Sequence, residues 1–426
     1  MESSQKADAD DLGAEPTLNA LRANASEVST QRKHALVRAL DYLAFRRLPG
    51  QLPVLDGLRG IAVLLVLLRH ASYLGVDRSV GVDRSAPLVP ILGVDFGTFM
   101  LNGWIGVDLF FVLSGFLISH HIIGLNERHG GNWPWKRYLA KRGLRIIPAY
   151  YAVLFLAVLG AFPGYAVSGQ WLGARIGYHL LFLQDYLPSN IVVAFWSMGV
   201  EEKFYLVAPF LVLACAKRPS IRARVAGPLA IVSMGVALRV FTLWQRPELV
   251  EYEAFFRVFR SPFHLTLDPI LIGVALAILY RGRDELPRLT ARSTARRVFW
   301  LGMLGFILLT TSGDMMAEIS WWDKTLQPLA IAATFGAITF GLLFGGDLSG
   351  LFGSAFLLFF ARISYCLYLV HLPLIPFAKA LAGRGSAAEP GFALFFVIFV
   401  ALSIQAALLL HYLVEKPFLR LKDRIR

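Results

Sequence analysis

"RGIAVLLVLLRH", residues 59–70, is an apolar run that begins with an arginine and ends with Arg69 and His70. Together with its neighbours it forms a segment, 58–76, of about the length that crosses a bilayer as a helix. Ionisable side chains are costly in hydrocarbon, so they are expected to face other helices or a water-filled cavity. Arg59 and His70 are separated by about three helical turns and about 16 Å, and they share one face. The stretch therefore predicts a membrane helix that carries polar groups at two depths.

The composition extends this prediction to most of the chain. Of 426 residues, 56% are hydrophobic, and the mean hydropathy is +0.57, which is typical of a polytopic membrane protein. The net charge of +13 is not gathered into one module, so no nucleic acid partner is indicated. Cys215 and Cys366 lie in apolar runs and belong to no ligand-spaced cluster. They are interpreted as small buried hydrophobic residues, and no metal is expected.

Ten long apolar segments predict the spans, and two of them, 147–162 and 298–312, are short for a bilayer. The ten are 58–76, 103–124, 147–162, 200–216, 225–243, 264–280, 298–312, 326–345, 356–381 and 391–413. An eleventh segment, 171–187, contains Arg175, His179 and Gln184 and is predicted to be interfacial or re-entrant.

The placement of Lys and Arg sets the orientation. With the N-terminus inside, alternate loops and the C-terminal tail hold most of these residues, which is the positive-inside pattern. Counting 171–187 as a span would invert every later loop and destroy this agreement. We therefore predict an all-α integral membrane protein with about ten transmembrane helices and both termini cytoplasmic.

Three regions are predicted along the chain. Residues 1–52 are polar and poor in aromatic side chains, which indicates a flexible cytoplasmic leader without a secretory signal. Residues 53–418 form the membrane domain, and 419–426 a basic cytoplasmic tail.

Several polar residues lie within the predicted spans. Asp108 falls at about the depth of His70, where a carboxylate could fix the tautomer of an imidazole and make it a better base. Glu201 enters the fourth span near Trp196, and His371 lies deep in the ninth. Each residue alone also has a structural interpretation: His70 as an interior hydrogen-bonding group, Arg59 as an end residue that reaches the interface.

Six motifs make a joint pattern. In order they are "LDGLRGIAVLLVLLRH", "GVDLFFVLSGFLIS", "KRGLRIIPAYY", "WSMGVEEKFYLVAP", "ISYCLYLVHLPL" and "YLVEKP". Over about residues 52–418 they resemble the integral-membrane acyltransferase 3 family. The positions that match the family's motifs are Arg59, His70, Asp108, Ser114, Arg145, Trp196, Ser197, Glu201, Ser364, Tyr365 and His371. Arg69 departs from the family pattern, in which an apolar or aromatic residue precedes the histidine more often.

The resemblance implies an O-acyltransferase of the bacterial cytoplasmic (inner) membrane. Such an enzyme moves an acyl group, commonly acetyl, from cytoplasmic acyl-CoA to a hydroxyl of a glycan or lipid-linked sugar. The soluble hydrolase-like domain of some relatives is not expected here. A thioester donor is already activated, so no metal is required.

The roles expected of the residues follow from that reaction. Arg59, Arg142 and Arg145 would hold the phosphates of coenzyme A, although the last two could merely enforce topology. His70 would act as general base or transient acyl carrier, oriented by Asp108. Glu201 is grouped with His70 and Asp108 as a catalytic residue and would line the acceptor side, where Trp196, Ser197, Tyr365 and His371 would bind the substrate.

One other class of protein fits the pattern, and a second class fits it less well. A polytopic transporter or flippase could use the buried Arg, His and Glu as a proton relay or anion site. A non-catalytic scaffold would not need buried titratable groups at matched depths.

Overall fold

The structure is a computed structural model that describes most of the chain. The described residues are 52–75, 90–91, 94–130, 133–167, 169–187, 191–316, 319–346, 349–383 and 391–425. The predicted leader therefore lies almost wholly outside the described residues.

Long helices account for most of the described chain. They are α1 (Pro53–Gly75), α3 (Gly106–Arg128), α4 (Trp135–Val158), α6 (Trp196–Ala216), α7 (Ile221–Gln245), α9 (Asp268–Arg281), α10 (Arg292–Thr311), α12 (Gln327–Gly345), α14 (Ala355–Ala382) and α15 (Phe392–Leu410).

Shorter elements connect them. The short α-helices are α2 (Phe96–Leu101), α5 (Leu172–Leu180), α8 (Tyr252–Phe255), α11 (Trp321–Thr325), α13 (Ser349–Phe352) and α16 (Lys416–Arg424). π-Helical turns cover Phe256–Arg260 and His411–Glu415, and 3-10 turns cover Asn102–Ile105, Val193–Phe195, Phe263–Leu265 and Arg283–Glu285. Two strands of two residues each, β1 (Pro90–Ile91) and β2 (Val94–Asp95), pair antiparallel, with Pro90 opposite Asp95.

The prediction of a helical membrane protein is confirmed, apart from that short strand pair. Among the described residues, five helices are long and apolar enough to cross a membrane. They are Phe96–Arg128, Ile221–Gln245, Gln327–Gly345, Ala355–Ala382 and Phe392–Arg424. The first of these ranges joins α2, a 3-10 turn and α3, and the last joins α15, a π-helical turn and α16. Every one of the ten predicted apolar segments coincides with a long helix, but their number as spans stays a prediction. Helix α5 rises only about 13 Å, too little to cross a bilayer.

Two helices begin well before the apolar segment that predicted them. Helix α4 begins at Trp135 rather than 147, and α10 begins at Arg292 rather than 298. Their first turns are rich in Lys and Arg, which are good helix formers but lower the hydropathy. Hydropathy therefore found the apolar body of each helix and missed its charged start.

Close helix crossings position the site. A Cβ at Gly60 would lie 2.3 Å from the carbonyl oxygen of Leu357, so α1 and α14 approach backbone to backbone. A Cβ at Gly115 would lie 2.0 Å from the carbonyl oxygen of Ile270, so α3 and α9 do the same. Small residues permit such contacts between membrane helices. The first crossing brings the face of α1 that carries His70 against α14.

A buried ion pair joins the largely exposed helix α7 to α9. The guanidinium of Arg239 contacts both carboxylate oxygens of Asp268, at 2.5 and 2.8 Å, and both side chains are about 0–1% exposed. Arg239 also donates to the carbonyl oxygens of Leu265 and Thr325. This fork-shaped pairing satisfies both charges inside the protein.

Candidate active site

Two of the cavities formed by the described residues share part of their lining. The first, the Glu201 cavity, has a volume of about 280 Å³, and Glu201 lies in its wall with Arg59, Arg142 and Arg145. The second, the His70 cavity, has a volume of about 360 Å³. Val107 and Tyr368 line both cavities. The two spaces therefore meet at these two side chains.

His70 lies in the wall of its cavity and packs against a second histidine. The Nε2 atom of His371 lies 3.1 Å from Nδ1 of His70, and the ring centroids are 4.9 Å apart. Nδ1 of His70 also lies 2.9 Å from the carbonyl oxygen of Val66. His371 is fully buried, and its Nδ1 lies 2.8 Å from the carbonyl oxygen of Tyr368.

With both rings neutral, these contacts assign the tautomers. A carbonyl oxygen only accepts, so Nδ1 of His371 carries a proton and its Nε2 accepts. Nδ1 of His70 is then the donor, either to Val66 or to Nε2 of His371. Nε2 of His70 is left with a lone pair, the state that a general base requires. The histidine pair can thus hold His70 ready to take a proton.

The expected pairing of Asp108 with His70 is corrected by the structure. Asp108 is fully buried, and its Oδ2 accepts from Nη2 of Arg260 at 2.7 Å. Arg260 ends a π-helical turn and lies between the rings of Trp104 and Trp196, at 5.0 Å from each centroid. A full positive charge attracts the carboxylate more strongly than a neutral imidazole does, and His371 takes the place beside His70.

Glu201 is also placed differently from the expectation. It lies with the arginines and not with Trp196, which lines the His70 cavity. On α6 the two residues are five positions apart, which is about 140° around the axis and about 7.5 Å along it. The carboxylate of Glu201 accepts from the hydroxyls of Ser114 at 2.8 Å and Tyr205 at 3.0 Å.

The remaining residues predicted to bind the acceptor do not all line the same cavity. Ser197 and Tyr365 line the Glu201 cavity, and Tyr365 donates to the carbonyl oxygen of Ile146 at 2.6 Å. The hydroxyls of Ser197 and Tyr368 lie 2.7 Å apart where the two cavities meet. Of this predicted set, only Trp196 lines the His70 cavity. His371 lines neither cavity and contacts the ring of His70.

The rim of the His70 cavity is fixed by polar contacts. Asp185 pairs with Lys203 at 2.5 Å, and the hydroxyl of Ser261 donates to the carbonyl oxygen of Asp185. Burial raises the pKa of Asp185, and the hydrogen bond from Lys203 opposes that shift. Arg69 donates to the carbonyl oxygen of Leu101 at 3.0 Å. The buried arginine of the opening stretch thus ties α1 to the end of α2.

A cluster of Cys366, His411 and Glu415 has the donor types of a metal site, and its ligand atoms lie within 4.8 Å of one another. His411 and Glu415 lie four residues apart on one helical turn, but Cys366 comes from a different helix, so the sequence alone did not reveal the cluster. One carboxylate oxygen of Glu415 accepts from the thiol at 3.1 Å and from Nδ1 of His411 at 2.5 Å. Hydrogen bonds therefore account for the cluster. Cys366 is buried, as expected, and hydrogen-bonded, which was not expected.

Sequence reasoning missed two residues of the site. Tyr368 lies one turn before His371 in a motif already singled out, so its spacing could have identified it. Arg260 lies just before the sixth predicted apolar segment and in none of the six motifs. No periodic pattern in a sequence predicts a π-helical turn. The aromatic partners of Arg260, Trp104 and Trp196, come from two other helical segments.

Known proteins similar to this chain include the following three. The chain is 25% identical over 349 residues to a peptidoglycan O-acetyltransferase of Listeria monocytogenes, which covers 76% of this chain and 49% of the relative. It is 26% identical over 247 residues to a Bacillus subtilis protein provisionally named as a peptidoglycan O-acetyltransferase, covering 54% of this chain and 33% of the relative. It is 24% identical over 406 residues to a provisionally named O-acetyltransferase of Staphylococcus aureus, covering 88% and 58%.

The chain thus spans about half the length of the first of these relatives. A family model described as an acyltransferase domain matches residues 52–412, a range that includes both cavities and the histidine pair. The order of the motifs and this match agree: the chain belongs to the acyltransferase 3 family.

Proposed function

We propose that the protein is a membrane-embedded O-acetyltransferase, which moves an acetyl group from cytoplasmic acetyl-CoA to a hydroxyl of a glycan or glycolipid. The observation that carries this proposal is the pair of cavities that meet at Val107 and Tyr368, with His70 in the wall of the second. A donor and an acceptor that approach from different sides would meet at such a junction. The names of the relatives, which are O-acetyltransferases, support the acetyl group.

The donor is assigned to the Glu201 cavity. Arg59, Arg142 and Arg145 provide guanidinium groups that can bind the phosphates of coenzyme A through charge-assisted hydrogen bonds. Among the described residues of the wall, Glu201 supplies the one carboxylate, and it is held by Ser114 and Tyr205. In this role Glu201 orients the arginines and does not touch the acceptor.

The acceptor is assigned to the His70 cavity. Trp104, Trp196, Tyr186, Tyr252 and Phe256 give it aromatic surface, and Asp185, Glu253 and Arg257 add polar groups. Aromatic faces combined with a few polar groups suit a sugar ring. The glycan is the acceptor class that the family and its relatives favour.

The reaction then needs one base. Nε2 of His70 takes the proton of the acceptor hydroxyl while the hydroxyl oxygen attacks the thioester carbonyl carbon. Collapse of the tetrahedral intermediate breaks the carbon–sulfur bond, and the same proton passes from His70 to the departing thiolate. His371 keeps Nδ1 of His70 in its donor role throughout.

The membrane arrangement is part of the proposal. We place ten spans in a bacterial cytoplasmic membrane with both termini inside, so that the Arg-rich loops face the cytoplasm. Residues 1–52 are the leader, 53–418 the acyltransferase domain and 419–426 the basic tail. With this orientation Arg142 and Arg145 lie on the side from which acetyl-CoA arrives.

Acetyl transfer by the purified full chain tests the function. Wild-type protein is expected to release free coenzyme A from acetyl-CoA when a glycan acceptor is supplied, and His70→Ala to lose at least about 100-fold in rate. A fully active His70→Ala variant would remove His70 from the mechanism. A wild-type protein that consumes no acetyl-CoA with any glycan would favour the transporter interpretation.

The donor assignment is tested separately. Arg145→Ala should raise the KM for acetyl-CoA by about 10–100-fold, because a charged hydrogen bond to a phosphate is lost. Lys136→Ala, which removes an exposed charge from the first turn of the same helix, is the matched control. An equal effect in both variants would show that Arg145 acts only through the general charge of α4.

The base role is distinguished from a covalent role by mass spectrometry of the intact protein. After incubation with acetyl-CoA and no acceptor, a general base leaves the mass unchanged. If wild type gains the mass of an acetyl group and His70→Ala does not, the reaction proceeds through an acyl-imidazole intermediate on His70 and not by direct transfer.

A further inference from the structure

An apolar groove away from both cavities lies at one end of the helix bundle. It runs between the first turns of α7, the last turn of α9 and the segment that follows α9, and its volume is about 740 Å³. Its apolar wall is formed mainly by Val225, Leu229, Leu279, Leu286 and Leu289. Ligand pockets have volumes of about 300–1,000 Å³, so the groove is large enough for a ligand.

Three charged side chains line the groove, and one of them is already neutralised. Glu285 accepts from Nη1 of Arg224 at 3.0 Å and from the backbone N–H of Ile221 at 3.2 Å. Arg222 and Arg288 are exposed, and in the described part of the chain no carboxylate pairs with either guanidinium. The groove therefore presents two uncompensated positive charges beside an apolar wall.

The position of the groove fits the edge of a bilayer. Only 17% of the most apolar window of α7 is buried inside the protein, so this helix presents its body to hydrocarbon. Its first turn carries Arg222 and Arg224, and α9 ends at Arg281. The groove thus lies where apolar helices give way to arginines, which is the depth of phospholipid headgroups.

We propose that this groove binds one anionic phospholipid. An acyl chain packs against the leucines, and the lipid phosphate accepts from Arg222 and Arg288. The apolar wall requires a ligand with a hydrocarbon chain, so a free phosphate fills only the polar end. The two arginines require a net negative headgroup, so a zwitterionic lipid gains less.

Native mass spectrometry of the delipidated full chain in detergent tests the proposal. Dioleoyl phosphatidylglycerol is expected to bind in a one-to-one complex more tightly than dioleoyl phosphatidylcholine does. The double variant Arg222→Gln/Arg288→Gln should weaken phosphatidylglycerol binding by roughly 30-fold, since each arginine contributes about a factor of five. Leu229→Gln should weaken it as well, because it places an amide in the apolar wall.

The matched control is Arg283→Gln, which removes an exposed charge near the groove from a side chain that does not line it. It should leave phosphatidylglycerol binding within about twofold of wild type. Equal loss in the control and the double variant would overturn the site, as would equal affinity for the two lipids. Competition by glycerol 3-phosphate alone would assign the arginines to a soluble phosphate instead.

Discussion

At the scale of single residues, the proton on one nitrogen of His70 sets what the site can do. Nδ1 faces the Val66 carbonyl oxygen and Nε2 of His371, and both act as acceptors. The base is therefore oriented without a carboxylate, which leaves Asp108 to hold Arg260 between two tryptophans. A neutral support suits a buried position, because a carboxylate there would need its own compensation.

His371 can be tested as a positioning residue. His371→Leu removes the acceptor for Nδ1–H of His70, and kcat for acetyl transfer should fall by about 10–100-fold, by analogy with the groups that orient metal-bound histidines. The KM for acetyl-CoA should change little, because His371 lines neither cavity. His371→Gln keeps an acceptor oxygen and should recover part of kcat. Equal rates in wild type and His371→Leu would contradict the assignment.

The buried pair of Arg239 and Asp268 gives a prediction about stability. Asp268→Asn leaves a buried guanidinium uncompensated and should lower the free energy of unfolding by about 3–5 kcal/mol. Thermal unfolding in detergent measures the change. Replacing both residues by apolar ones, as in Arg239→Met/Asp268→Leu, should recover much of the loss. A double variant as unstable as the single one would mean that the pair itself, and not the isolated charge, matters.

At the scale of helices, close crossings carry the architecture. The contact of Gly115 with the Ile270 carbonyl oxygen leaves no room for a methyl group, so Gly115→Ala must separate α3 from α9. We expect this variant to be destabilised by about 1–3 kcal/mol, as measured by thermal unfolding. Gly177→Ala, within α5 and with open space around its Cα, is the control and should be neutral or slightly stabilising. Equal stability of the two variants would refute the crossing.

The sequence predicted where the long helices lie along the chain, but it did not predict which helices pack against one another. Apolar length predicted each long helix because hydrocarbon admits few other backbone structures. The charged first turns of α4 and α10 were missed, since hydropathy responds to side chains and not to the backbone. His70 and Arg59 were found from spacing within one helix. Their real neighbours, His371 and Glu201, depend on crossings set by glycines and on the face of α6, which a linear pattern does not contain.

At the scale of the whole molecule, the charged residues that make up the net charge of +13 are distributed unequally between the two ends of the helices. The link between α6 and α7 carries Lys217 and Arg218, and the first turn of α7 adds Arg222 and Arg224, whereas the segment after α7 carries Glu248, Glu251 and Glu253 with few basic residues. This asymmetry argues that α7 runs from the cytoplasm outwards. The proposed donor cavity and the proposed lipid groove both depend on that direction, because each relies on arginines at the cytoplasmic face.

Labelling of single cysteines tests the direction. Both native cysteines, Cys215 and Cys366, are buried and should react slowly, so they can stay in place, with wild type as the background control. Glu248→Cys should react with a membrane-impermeant maleimide in intact spheroplasts, because it follows the outer end of α7. Arg218→Cys and Arg420→Cys should react only after lysis, since positive loops stay inside. Reaction of Arg218→Cys in intact spheroplasts would show that the bundle has the opposite orientation. The arginines of the Glu201 cavity would then face away from the cytoplasmic acetyl-CoA that the mechanism requires.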